Sequence, residues 1–381
     1  MPRRIVIIAG EASGDQLAGG LIEALRIRYP DAIFEGITGP RMRAAGCQSW
    51  GDFEQLAIMG IFEVIRHIPR LLRLKRDLLK RLLDEPPDLL IGVDAPDFNL
   101  RLEKAARAAG ITTVHYVCPS VWAWRSSRVN AIRASCDLVL CLLPFEGDFL
   151  AQHGVQARFV GHPMADEIAT TPIKADARRL LGLDDSDLVA LLPGSRMGEV
   201  RYIGPAFIQA ALWLRERLPE LKFVIAAASP AIHELMQAEI TAAELESSVS
   251  IIDGRPRDVI AAADSVLLAS GTATLETMLV RRPMVVAYKV FWLTAWLLRK
   301  SGLVKVDRFS LPNLLADASL VPELLQEEAT GPHLGSAVLN QLKNPDVTRD
   351  MVEKFEELAT LLRCGASEQA AIGIQALLER T

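Results

Sequence analysis

The chain has little of what several specialised protein classes require. Its five cysteines are an odd number with no CxxC pair, so neither a disulfide framework nor a zinc finger is indicated. Cys47, Cys118, Cys136, Cys141 and Cys364 read as small core hydrophobes. Basic residues are not in excess: 42 Lys and Arg against 47 Asp and Glu leave a net charge of -5. Nucleic acid is therefore not expected as a partner, because phosphate backbones call for a basic surface. Aromatics are only 6% of residues. The longest apolar stretch, 283–298, is interrupted by Lys289 and falls short of the roughly 20 residues a membrane span needs. The opening MPRRIVIIAGEASGD has the arginines of a signal peptide, but its apolar run turns acidic at once and reads as a strand. A cytoplasmic protein is expected. No internal repeat or low-complexity segment is visible.

What is present is a globular composition, half hydrophobic and 23% charged, over 381 residues, enough for two domains of ordinary size. Short β-branched runs alternate with segments of helical period, the signature of βαβ units. In the first half the runs lie at 4–10, 32–39, 88–94, 112–118, 137–144 and 157–161; in the second, at 188–195, 221–229, 249–254, 265–270 and 283–289. Their nearly continuous apolar character predicts sheets covered by helices on both faces. The fold class is thus α/β, two Rossmann-like doubly wound domains facing a central cleft. We place the domains at 1–165 and 166–345, with helices over 346–381, carrying a stripe of Val352, Phe355, Leu358, Leu361 and Leu362, packing back on the first.

Two turns in the second half suit a nucleotide diphosphate. LLPGSRMGEV (191–200) leads from a buried strand into a helix, where a glycine turn admits phosphate to backbone N–H groups and Arg196 offers a bidentate fork. LLASGTATLETML (267–279) presents Ser270, Gly271, Thr272 and Thr274 at a second helix start, with Glu276 placed to accept ribose hydroxyls. Neither turn matches GxGxxG or the P-loop; alone, the first also reads as an ordinary βα turn with a surface arginine and the second as an N-capped helix whose glutamate complements the dipole. In the first half, GEASGD (10–15) makes a tight turn after the first strand. GVDAPDFN (92–99) sets Asp94, Asp97 and Asn99 at a strand end, where a carboxylate can take a proton from a sugar hydroxyl; Asp97 also reads as the N-cap of a helix from Phe98. YVCPSVWAWRSSR (116–128) offers Trp124 and Arg125 for sugar or phosphate contact, against core packing of Trp122 or Trp124. His162, at the expected hinge, reads as structural. Asp185-Ser186-Asp187 has the letters of a DxD metal motif but sits in a polar turn before a strand, so no metal is assigned.

In their order, GEASGD, MGIFEV (59–64), DAPDFN, YVCPSVWAWR, FVGHPMAD, LLPGSR, SGTATLE, PMVVAYK and LPNLLAD (311–317) closely resemble the lipid A disaccharide synthase family, over about residues 5–325. The resemblance implies the GT-B fold, with an acceptor and lipid domain followed by a UDP-sugar domain. It implies an inverting transfer of diacylglucosamine from UDP-diacylglucosamine to diacylglucosamine 1-phosphate, without a cofactor. Carried over by motif, Asp97 is the base; Ser195, Arg196, Gly271, Thr272 and Thr274 meet the diphosphate; Glu276 meets the ribose and Asn313 the cleft. Glu11, Ser13, Asp15, Asp94 and Asn99 fall near the reacting sugars. The implied location is peripheral, on the cytoplasmic face of the inner membrane, and a homodimer is left open. Competing readings are a UDP-N-acetylglucosamine 2-epimerase and a non-catalytic sugar-nucleotide binder. The basic amphipathic segment 61–83, in which Pro69 is expected to break or kink the helix, favours a lipid substrate.

Overall fold

The computed structural model describes residues 2–56, 61–122, 128–168, 170–289 and 308–380, with the backbone alone for 61–68. The chain divides into two compact units, Met1–Asp166 with Leu362–Thr381, and Glu167–Leu361. The first holds strands β1 (Arg4–Ala9), β2 (Ile33–Thr38), β3 (Gln48–Asp52), β4 (Leu89–Val93), β5 (Thr113–Tyr116), β6 (Leu138–Cys141) and β7 (Ala157–Phe159), in the order β3-β2-β1-β4-β5-β6-β7. The second holds β8 (Leu188–Leu192), β9 (Lys222–Ala227), β10 (Val249–Asp253), β11 (Ser265–Ala269), β12 (Met284–Tyr288) and β13 (Glu323–Leu325), in the order β10-β9-β8-β11-β12-β13. Every pairing is parallel. Each order reverses once, between β1 and β4 and between β8 and β11. Such a switch point, outside the strand carboxyl ends, is where an open α/β sheet binds ligands.

Alternation along β1 explains how the first sheet is covered. Ile5, Ile7 and Ala9 face the helices Ala12–Arg28 and Ala366–Leu378, while Val6 and Ile8 face Leu78 and Leu82 of the helix Ile61–Asp84. Both faces are dry, so the strand reads as an unbroken apolar run. The runs anticipated in the sequence correspond to eleven of these strands; β3 and β13 were not among them. Both are sheet edges, and QSWGD and ELL are only half-buried or exposed, so neither carries the apolar run that marks a covered strand.

Three further details differ from the sequence reading. The helix Ile61–Asp84 runs on through Pro69 rather than breaking there. Cys364 is exposed, unlike the other four cysteines. In the helix Pro345–Leu362 the buried stripe includes Met351, Phe355, Leu358, Ala359 and Leu362, whereas Leu361 is 47% exposed. Among the described residues no helix is long and apolar enough to cross a membrane.

The FVGHPMAD motif seats the last helix. Asp166 caps the helix Ala366–Leu378, its carboxylate accepting from Gly365 N at 2.9 Å and Ala366 N at 2.6 Å. His162 N donates to Leu362 O at 2.9 Å. Gly161 has φ 86, and a Cβ there would lie 2.7 Å from Leu362 O. Burial holds the His162 imidazole neutral, its pKa lowered to about 4, and its Nδ1 accepts from Met164 N at 3.2 Å.

Candidate functional site

In the first unit the turns after β1 and β4 meet at the switch point. Gly10 is required there, since a Cβ would stand 2.2 Å from that of Ala95. Asp94 and Ala95 are consecutive left-handed residues, φ 54 and 43, an uncommon conformation for side-chain-bearing residues and one that clusters at functional sites. They aim the helix Pro96–Ala108 out of the turn. That helix starts two residues before Phe98, with Ala95 as its N-cap and no side-chain cap, so Asp97 lies in the first turn and is not the cap.

The acidic residues divide into two groups. Asp97 is 75% exposed and pairs with Arg128 at 2.7 Å. Glu11 is exposed and accepts from the Ser13 hydroxyl. Asp94 has its pKa raised by burial first and by the Glu11 charge second. These three surround the turn. Asp15 instead is buried, accepting from Gly39, Arg41 and Met42 N–H groups at 2.8–3.0 Å, and its work is to fix the chain after β2. Asn99 is also buried, and its amide donates to the carbonyls of Ile8, Val93 and Asp94, holding both strand ends from beneath.

Trp124 and Arg125 lie outside the described residues. Trp122 is described and half-buried, edge-on to Phe145 with its indole N–H donating to buried Glu146 at 3.3 Å. Burial raises the Glu146 pKa to about 7.

The second unit repeats the geometry with different chemistry. After β8, Gly194 has φ 113 and the helix Met197–Arg215 opens at Arg196 without a side-chain cap. Ser195 and Arg196 are exposed, and Arg196 reaches Glu199 at 3.0 Å. After β11, the helix Thr272–Leu279 opens at Gly271, again uncapped, with Gly271 and Thr272 exposed. Uncapped first turns present N–H groups and partial positive charge, which suits an anion. Thr274 points inward, fully buried, its hydroxyl donating to Gly271 O at 2.7 Å. Glu276 is held by Arg257 at 3.0 Å. Asn313 is buried, joined to Val321 N, Val321 O and Glu323, and ties its helix to the start of β13. Asp185 and Asp187 precede β8 at its amino end, the end opposite the switch-point turns.

Two residues at these turns escaped the sequence reading. Arg128 was visible only as the last letter of an unusual motif. Arg257 gave no signal, because its partner is 19 residues away.

The combination of two Rossmann-ordered parallel sheets, each with helix starts at its switch point, defines the GT-B class. Solved structures of that kind align over nearly the whole chain. The UDP-N-acetylglucosamine 2-epimerase from Neisseria meningitidis bound to UDP-N-acetylglucosamine gives a TM-score of 0.65 at 13% identity, covering 100% of both chains. WaaG, a glycosyltransferase involved in lipopolysaccharide biosynthesis, gives 0.59 at 14% identity, covering 97% of this chain and 98% of its own. These likenesses establish the fold alone.

Sequence goes further. The lipid-A-disaccharide synthetase family model matches residues 5–374, and the chain belongs to that family. The lipid-A-disaccharide synthase of Xanthomonas euvesicatoria pv. vesicatoria (strain 85-10) is 51% identical, over 99% of this chain and 87% of the relative. That of Xylella fastidiosa (strain M12) is 49% identical, over 99% and 98%. The epimerase and non-catalytic readings have no such support.

Proposed function

We propose that the chain transfers a 2,3-diacylglucosaminyl group from its UDP donor to the 6-hydroxyl of 2,3-diacylglucosamine 1-phosphate, yielding the β-1,6 disaccharide 1-phosphate and UDP. The observation that carries this, beside family membership, is that two switch points of one topology differ in chemistry. That of the first unit is acidic, with Glu11, Asp94 and Asp97; that of the second offers uncapped helix starts, small residues and Arg196. The first suits an acceptor hydroxyl that must lose a proton, the second a leaving diphosphate.

Asp97 takes the hydroxyl proton as the oxygen attacks the anomeric carbon in line, and inversion follows from a single displacement. Ser195, Arg196, Gly271 and Thr272 receive the diphosphate, and Glu276, positioned by Arg257, receives the ribose. Acylated substrates place the enzyme at the cytoplasmic face of the inner membrane, with Arg70, Arg73, Arg76 and Lys80, all exposed on the helix Ile61–Asp84, as the basic face toward anionic lipid. The test is mass spectrometry of the two purified lipids incubated with the protein. A tetra-acyl disaccharide phosphate and stoichiometric UDP are expected; an epimerised donor without disaccharide would reject the reading.

A further inference from the structure

Beneath the acidic turn of the first unit lies a layer of buried polar groups to which the transfer reaction assigns no role. Glu103 sits one helical turn beyond Asn99 on the helix Pro96–Ala108, and both are buried. Its Oε1 lies 2.8 Å from Nδ1 of fully buried His115, and its Oε2 accepts from the Cys136 thiol at 3.3 Å. His115 on β5 is the register partner of Gly92 on β4. A Cβ at Gly92 would stand 2.1 Å from Glu103 Oε1 and 2.8 Å from Asn99 Cβ. Strand β4 is thus kept bare so that a carboxylate can cross it two residues before Asp94. Burying an ion costs several kcal/mol even after relaxation, and an apolar pair of the same volume is often no less stable. Packing therefore gives no reason for this choice. Among the described residues His115 Nε2 and Asn99 Oδ1 also find no hydrogen-bond partner, unlike the atoms of most structural networks.

We propose that Glu103 and His115 are positioning residues for the acidic turn: the Glu103 carboxylate fixes the imidazole beside Gly92, and the two support the end of β4 that carries Asp94 while Asn99 holds the turn's backbone. The helix that carries the base, Asp97, starts from this turn, so the inference rests on the proton-abstraction reading given above. Charges facing the layer come from several elements. Glu11 disfavours ionisation of Asp94 and His115 favours it. Arg107 and Asp137 act on Cys136, on the far side of Glu103.

The test uses His115→Asn, which keeps an N–H donor toward Glu103 and removes the imidazole, in the full-length enzyme. The titration of the Asp94 carboxyl, followed by NMR, is expected to move up by roughly half to one pH unit. Turnover is expected to fall about tenfold, with donor KM little changed. The double variant Glu103→Gln/His115→Asn replaces the carboxylate and the imidazole by two amides; it is expected to regain stability while the Asp94 titration stays displaced. That titration needs no activity, so a wild type that makes no disaccharide would fail the transfer reading and leave this one still decidable. An Asp94 titration unmoved in both variants, with loss confined to Tm, overturns the proposal. One equivalent of zinc on the purified protein, lost in Cys136→Ser, overturns it too, because Glu103, His115 and Cys136 would then be a ligand set.

Discussion

Asp97 combines what a base needs with little that would obstruct it: it is exposed, at the start of a helix, and steadied by Arg128. Asp97→Asn is expected to keep Tm and UDP affinity while lowering kcat about 100-fold or more; turnover near the wild type removes Asp97 as the base. Arg196 is 76% exposed and tied only to Glu199 on its own helix among the contacts described, so it is available to a ligand. Arg196→Ala should weaken UDP by about 1.5–3 kcal/mol and leave uridine nearly unchanged, as measured by calorimetry; equal losses would place the guanidinium away from the diphosphate. At this scale the sequence shows residue types but not directions. Ser195 and Thr272 face solvent while Thr274, two positions along the same helix, is sealed inside. Asp15 and Asn313 look like ligand contacts in their motifs, yet each is a buried hub for backbone groups brought in from elsewhere in the chain. Motif spacing alone does not contain those partners.

Elements are more legible, because burial on two faces leaves a pattern in the chain that survives without coordinates. The strands with an apolar run were readable for this reason, and β3 and β13, edge strands that carry none, were not. The helix Ile61–Asp84 shows both sides of the problem. Its Leu78 and Leu82 are buried against the sheet while Arg70, Arg73, Arg76, Lys80 and Leu72 face outward. Changing the four cations to Gln is expected to lower affinity for anionic vesicles by about 1 kcal/mol per residue at the surface, with activity on detergent-dispersed substrate retained. Unaltered vesicle binding would move the membrane face elsewhere, to Phe291, Trp292, Trp296, Arg299 and Lys300, which lie outside the described residues. A second element, the helix Pro144–Gln152, is capped by Glu146, whose pKa rises to about 7 on burial. A raised carboxyl gives stability that is complete below its unfolded value near 4.5 and is lost as pH climbs through 7. Glu146→Gln keeps the cap without ionising, so its Tm should fall less between pH 5 and 8 than that of the wild type, by the equivalent of about 3 kcal/mol at most. Parallel Tm curves would show that Glu146 ionises freely.

At the scale of the whole molecule, the first unit is built from two separated stretches, with all of Glu167–Leu361 between them. The helix Ala366–Leu378 supplies Ala370, Ala371, Ile374, Leu377 and Leu378 to the same core as β1 and β4, and the Asp166 cap is what registers it. Asp166→Ala should cost about 1–2 kcal/mol, seen as an earlier urea transition of the first unit while the second unit's transition stays in place; a shift of both together would show that they unfold as one. The same arrangement bears on the order of events at the ribosome. The second unit is contiguous, so all its residues are made before residues 362–380. The first is synthesised earlier but has a gap in its core until residues 362–380 emerge, so the portion of the protein born first is the last that can finish folding, and it waits with part of its apolar surface uncovered.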